Sequence, residues 1–313
     1  MALYVRMAMR NRGIQMKTMN KQILGHILAC GTQIMWGATF VSTKVLLNYF
    51  QPVEILFIRM LLAFVALFFV DPHPLRIGEK KRELAFAGAG LTGLVLYFLL
   101  ENTALTMTYA SNVGIIVACA PFFVAVMVGI FFKERQGRNF YIGFVIAIAG
   151  VIMVSVSGKQ SFHLNPVGDF LAFLAMISWG AYSAIVKKIS EWEYPIIAVT
   201  RRIYFYGIIL LLPVLLGQWE GWKTDAFREP AVVANLLFLG LCASALGFLI
   251  WNLATGWIGA VKTSLYIYVS PIVTLVLSMI VLHEKMTAFS VSGSLCILVG
   301  LMISQGKPAR QKG

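Results

Sequence analysis

Ten long apolar runs separated by short polar breaks make up most of the chain: 24–43, 53–70, 84–100, 110–132, 140–157, 168–186, 196–216, 231–252, 263–282 and 287–304. A helix needs about 20 apolar residues to cross the hydrocarbon of a bilayer, and each run is near that length. The period-two alternation of a membrane β-barrel is missing. The breaks carry charge, proline or glycine: Asp71-Pro72-His73-Pro74, Lys133-Glu134-Arg135, Asn165-Pro166, and the stretch 217–230. This pattern predicts an all-α integral membrane protein with ten transmembrane helices. The longest break, 217–230, has 14 residues, which leaves no room for a soluble domain.

Composition agrees. Hydrophobic residues make up 59% of the 313 and charged residues 12%, against about 45–50% and about 25% in soluble domains. The mean hydropathy is +0.81. A net charge of +13 on a soluble chain would point to nucleic acid; here it points to cytoplasmic loops facing anionic lipid, with no nucleic-acid partner. With the N-terminus inside, the inner segments hold 18 of the 26 Lys and Arg and the outer segments five. The remaining three, Arg59, Arg201 and Arg202, lie within spans. The bias places both termini in the cytoplasm and the protein in a plasma membrane of the bacterial inner type. Residues 1–21 read as a disordered basic tail, with Met16 or Met19 as alternative starts, and 305–313 as a second tail. Cys30, Cys119, Cys242 and Cys296 and the four histidines are scattered singly, so no metal site, disulfide framework or cofactor is expected.

The chain also repeats itself. Trp36-Gly37-Ala38 and Lys44 recur as Trp179-Gly180-Ala181 and Lys187, and Pro52 and Arg59 recur as Pro195 and Arg202, all shifted by 143. Further on the shift is 150, pairing Asn102 with Asn252, Ala110 with Ala260, Pro121 with Pro271, Glu134 with Glu284, Gly143 with Gly293 and Gly150 with Gly300. The seven extra residues fall in the 217–230 break, where an insertion costs least. Two five-helix units follow, 22–158 and 166–304. Five is odd, so the two copies must insert in opposite orientations. An inverted repeat is the architecture of secondary transporters, because two opposed halves have two nearly equivalent packings.

At these residues the sequence resembles the EamA family of the drug/metabolite transporter superfamily. The resemblance rests on the Trp-Gly in the first helix of each half, the Pro52-to-Arg59 segment, and the run from Pro121 to Lys133-Glu134-Arg135. That run recurs from Pro271 to His283-Glu284-Lys285. His-Glu-Lys departs from the family's Gly-Glu-basic pattern. The resemblance covers residues 22–304 and implies ten helices around a central cavity formed by the first, third, fourth, sixth, eighth and ninth. It implies transport of amino acids, other metabolites or drugs, mostly outward.

Polar residues inside spans are costly and therefore informative. Thr32, Trp36, Thr39 and Thr43 lie on one face of the first span, and Thr263, Tyr266, Ser270, Thr274 and Ser278 on one face of the ninth. Trp179 and Tyr182 stand three apart in the sixth. Tyr97, Glu101 and Asn102 end the third, and the eighth carries Ser244, Trp251 and Asn252. The expected cavity lining is Thr32, Trp36, Thr39, Thr43, Tyr97, Asn102, Trp179, Tyr182, Trp251, Asn252, Tyr266 and Ser270, with charge roles open to Arg59, Glu101 and Arg202. The bland account is packing: Ser and Thr hydroxyls bond their own helix, and arginines snorkel or pair with a loop carboxylate. No acidic residue is expected at mid-bilayer, with Glu101 near the outer end of its helix and Trp251 at its matching position.

No HExxH, GxSxG or GxxxxGK[ST] occurs, which excludes the corresponding hydrolases and ATP-driven transport by this chain alone. The expectation is a secondary transporter, not an enzyme. It is a monomer by default, and its partners are a small organic solute and the bilayer. An amphiphile flippase with the same inverted repeat is the alternative.

Overall fold

A computed structural model describes residues 2–107, 113, 116–157, 165–218, 221, 224–273, 276 and 288–305. Among them there are only helices and connections, with no strand. Helix α1 is Ala2–Leu46 and α2 is Pro52–Val70. Helix α3 (Lys80–Ala89) runs through a π-helical segment, Gly90–Leu96, into α4 (Tyr97–Met107). The first half closes with α5 (Ala120–Phe132) and α6 (Arg138–Ser157). The second half holds α7 (Pro166–Ser190), α8 (Ile196–Gly217) and α9 (Pro230–Leu237). A second π-helical segment, Phe238–Leu246, joins α9 to α10 (Gly247–Ile258). After α11 (Ala260–Ser264) the chain tightens into a 3-10 turn, Leu265–Tyr268, and α12 is Ala288–Ser304.

Five of these helical stretches are long and apolar enough to cross a membrane: Pro52–Val70, Lys80–Ala104, Pro166–Ser190, Ile196–Gly217 and Pro230–Ile258. Four shorter apolar stretches, Ala120–Phe132, Arg138–Met153, Ala260–Val273 and Val291–Ser304, accompany them. The chain is a multi-pass membrane protein. Several bounds differ from the sequence expectation. The backbone from Ala2 is helical and continuous with α1, where a disordered tail was expected; Ala, Met, Arg, Lys and Gln there are all good helix formers. The third helix does not end near residue 100 but continues to Met107, so Glu101 lies six residues inside it. A 3-10 turn, Leu265–Tyr268, interrupts the α-helical period within the ninth-span stripe. Thr274, Ser278 and the His283-Glu284-Lys285 motif lie outside the described residues.

The two halves interlock by reciprocal contacts at positions matched in the repeat. Gly37 of α1 packs against Val273, and its counterpart Gly180 of α7 packs against Phe123, the position matching Val273 at an offset of 150. Gly90, in the first π segment, touches the backbone of Ile203 and Gly207 on α8, and Gly240, in the second, touches Leu62 on α2. Gly143 of α6 meets the backbone of Gly300 on α12, while Gly150 meets that of Gly293. Equivalent residues thus exchange partners, with the early position on one helix touching the late position on the other. That crossing is antiparallel and two-fold. Such glycines let backbones approach closely, which supplies dispersion contact where lipid removes any hydrophobic drive to associate.

Contacts also sort the ends. Gly25 packs on Ile258, Arg82 lies over Trp192, Lys187 pairs with Glu134 at 2.5 Å, and Gln136, Lys262 and Gln305 share one crevice. The segments that carry most of the basic residues therefore gather at one end of the bundle. Phe50, Phe227 and Leu46 pack at the other. Lys133 caps α5 in the left-handed conformation, with φ of 57°, a geometry glycine adopts more readily.

The α6–α12 crossing yields a direct test. Gly143→Leu is expected to destabilise the protein by about 1–3 kcal/mol, since a side chain there must displace backbone. Gly78→Ala, in open space, should stay within about 0.5 kcal/mol. Thermal unfolding of the purified protein in detergent compares the two.

Candidate functional site

Where the halves meet, the two repeat-matched tryptophans touch. Trp36 and Trp179 lie edge to face with ring centroids 5.9 Å apart. Trp251 stands 5.1 Å from Trp36 and 5.9 Å from Trp179, and Phe248 stands 5.2 Å and 6.3 Å from the same two. Tyr97 joins at 5.0 Å and Tyr182 at 5.1 Å from Trp179. Four helices, α1, α4, α7 and α10, supply this cluster. Edge-to-face and tilted geometries match the positive ring edge to the negative ring face.

Sequence dictates the close fit. Gly93 leaves room for the Tyr182 ring, and Gly247 for the Trp36 indole. Trp36 Nε1 donates to the Ala243 carbonyl at 2.9 Å, a carbonyl in the π segment, where a widened turn loosens the usual ladder. Trp179 Nε1 has no hydrogen-bond partner among the described residues, although the residue is only 4% exposed. Tyr182 Oη donates to Asn252 Oδ1 at 2.7 Å, and Asn252 Nδ2 donates to Thr200 Oγ1 at 3.3 Å. Tyr182, Trp251 and Asn252 have lost almost all accessible surface, so no water-sized space lies beside them. Trp36 and Tyr97, at the edge of the cluster, keep partial exposure. A crevice of about 30 Å³, room for one water, lies at the bundle end by Gln136 and Lys262, away from the cluster.

A charged pole adjoins the aromatic one. Arg59, reaching in from α2, donates from Nε to Ser244 Oγ at 2.8 Å and lies over the Phe98 ring at 4.8 Å. Tyr204 Oη donates to the Ser244 carbonyl at 3.0 Å. Glu101 accepts from Tyr97 Oη at 2.9 Å. Both charged residues are buried. Glu101, expected near a helix end, lies inside its helix and is buried, with its hydrogen bond made to Tyr97 one turn back on the same helix.

The remaining expected residues divide. Thr32 and Thr39 donate to the carbonyls of Leu28 and Trp36 on their own helix. Thr43 lies near the far end of α1, and Asn102 is half-buried beside Glu101, outside the network. Tyr266 bonds His26 Nδ1 at 2.8 Å and Ser270 donates to Gln33 Oε1 at 2.6 Å, so both tie the fourth helix of the second half to α1. Arg202 does not join the central group. It pairs with Glu83, which also accepts from Tyr206 Oη. Its neighbour Arg201 donates to the His73 carbonyl, in the loop where hydrogen bonds from His73 hold the Asp71 carboxyl below its usual range. Sequence reasoning missed Phe98, Phe248, Tyr204 and Gln33. The first two match at the 150 offset and could have been found; the others have no matching partner in the repeat.

Two matched halves thus interleave around a centre that is aromatic on one side and carries Arg59 and Glu101 on the other. The chain belongs to the EamA-like transporter family, whose signature it matches twice, over residues 23–156 and 166–305. It is 25% identical over 286 residues to an uncharacterized transporter of Archaeoglobus fulgidus, covering 90% of this chain and 97% of that one. A probable amino-acid metabolite efflux pump of Salmonella typhimurium is 28% identical, covering 88% of this chain and 93% of the relative. A probable terminal-alkyne amino-acid exporter of Streptantibioticus cattleyicolor is 26% identical, covering 87% and 90%. A solved crystal structure shares the fold at a TM-score of 0.72 and 14% identity, covering 90% of this chain and 97% of that one.

The buried Tyr182–Asn252 bond can be tested alone. Tyr182→Phe leaves the Asn252 carbonyl oxygen without its donor and is expected to cost about 1–3 kcal/mol, read as a lowered unfolding temperature. An unchanged midpoint would show that the bond contributes nothing.

Proposed function

We propose that the protein is a secondary transporter that moves a small amphipathic organic solute outward by alternating access. The observation that carries this reading is the meeting of Trp36 and Trp179. Matched residues from opposed halves touch where a pathway between the halves would run, so parting the halves at either end exposes the same cluster to either side. The Glu134–Lys187 pair ties the halves together at the basic end, and by the repeat its counterparts are Glu284 and Lys44. The full reading has ten helices in two inverted five-helix units, both termini cytoplasmic and a bacterial inner membrane as its site. The Lys and Arg bias and the antiparallel α6–α12 crossing support it. Outward transport is supported by the names of the Salmonella and Streptantibioticus relatives. The protein acts as a carrier and not as an enzyme, and an amphiphile flippase is the competing outcome.

Flux in proteoliposomes tests this. A panel of amino acids, nucleotides, sugars and organic cations should include at least one solute moved faster than in protein-free vesicles. Trp36→Ala should lower that flux about tenfold or more while the protein still folds, as truncating a buried aromatic anchor does in binding sites. If no solute moves but labelled phospholipid crosses between leaflets, the flippase reading replaces this one.

A further inference from the structure

The two π-helical segments hold equivalent places in the repeat, Gly90–Leu96 in the first half and Phe238–Leu246 in the second. A π turn is rare, widens the helix and recurs at functional sites. It is also one of the few features that let a long helix change direction sharply. Two of them at matched positions make a paired device rather than a local accident.

Each segment is gripped by the opposite half in the same way. Ser178, on the first helix of the second half, donates from Oγ to the Thr92 carbonyl at 2.8 Å. Trp36, on the first helix of the first half, donates from Nε1 to the Ala243 carbonyl at 2.9 Å. Ser178 stands one residue before the match of Trp36, and Thr92 one residue before the match of Ala243. The Thr92 carbonyl also accepts the Tyr97 N–H inside its own helix, so the bond from Ser178 is an addition to the ladder and not a part of it. Glycines bring the second helix of the opposite half against the same segments. Gly90 meets the backbone of Ile203 and Gly207 on α8, and Gly240 meets Leu62 on α2. Inside a membrane an irregular turn persists where neighbouring helices supply such partners.

The centre follows directly on each segment. Tyr97 is the first residue after Gly90–Leu96, and Phe248, Trp251 and Asn252 lie in the first two turns after Phe238–Leu246. A change of direction at either segment therefore swings these side chains as a group. The grips just named belong to the half that moves away.

We propose that the two π segments are the hinges of the transport cycle, with Ser178 and Trp36 as the positioning residues that hold them. When the halves part, these cross-half bonds let go, each long helix bends at its segment, and the rings of the cluster separate. This deepens the transporter reading and rests on it.

Hydrogen exchange of the full chain in lipid nanodiscs, read by mass spectrometry, tests the hinges without any solute. Glu134→Gln breaks the Glu134–Lys187 tie at the basic end and favours parting there, and it lies outside both segments. The amides of Gly90–Leu96 and Phe238–Leu246 are then expected to exchange about twofold to fivefold faster, the shift in an opening equilibrium that loss of a partly exposed ion pair brings. The flanking turns of the same helices should change less. If this variant does not fold, Lys187→Gln breaks the same pair. Ser178→Ala should speed exchange in Gly90–Leu96 about twofold to tenfold, as the loss of one neutral hydrogen bond does, and Ser178→Thr, which keeps the hydroxyl, should restore it. A bond with a structural role alone would leave the segments indifferent to Glu134→Gln. Segments that change no more than their flanking turns on loss of the ion pair overturn the proposal, and so does unaltered exchange in Ser178→Ala. The transporter reading survives both outcomes; it is sunk by a flux panel in which no solute moves.

Discussion

The contact of α6 with α12 at Gly143, Gly150, Gly293 and Gly300 brings two helix backbones together in antiparallel register, and the relation between the halves depends on it. In a bilayer, apolar side chains gain nothing by leaving lipid for one another. Association has to come from close packing and interhelical hydrogen bonds. Glycine at all four positions permits that closeness. The reciprocal exchange of partners then sets a two-fold axis, and the rest of the bundle follows it. Gly37 and Gly180 seat the first helix of each half on the other half, and Gly90 and Gly240 seat the π segments on α8 and α2.

Symmetry governs the scaffold and is broken at the centre. Both halves place a π-helical segment in the same part of the third long helix of the unit, and both bring a tryptophan to the axis. But among the described residues Trp36 has a carbonyl for its indole N–H and Trp179 has none. Arg202 has a carboxylate and Arg59 has a serine. Two opposed packings of similar energy need a symmetric frame. A chemically definite solute needs an asymmetric pocket. The chain keeps the small residues of its two halves matched and lets polar ones diverge.

Within the centre the polar residues are of two kinds. The hydroxyls of Thr32 and Thr39 return to their own helix, which is how such groups tolerate an apolar setting. Tyr182, Asn252 and Thr200 form a short chain across three helices, in which each buried group satisfies the next and so specifies one arrangement. Arg59 and Glu101 are a third kind, buried charged groups bonded to the neutral side chains of Ser244 and Tyr97.

Much was legible in the sequence because its signals are local or periodic. Apolar run length gave a multi-pass helical membrane protein, and the two constant offsets gave a repeated unit, since both depend only on spacing along the chain. The same offsets brought Trp36 and Trp179 into view as equivalent positions. What spacing does not carry is which faces meet. The third helix runs on past residue 100 with Glu101 buried in it, its Tyr97 partner one turn back on the same helix. A polar residue at an apolar run's edge reads as an end until its surroundings in the fold are known. The divergence of Arg59 from Arg202 is of the same nature. Both stand seven residues after a matched proline, but Glu83 reaches one, and among the described residues no carboxylate pairs with the other. The assembly of the aromatic cluster was likewise a tertiary matter, decided by ring edges and faces from four helices meeting at distances that no one-dimensional pattern encodes.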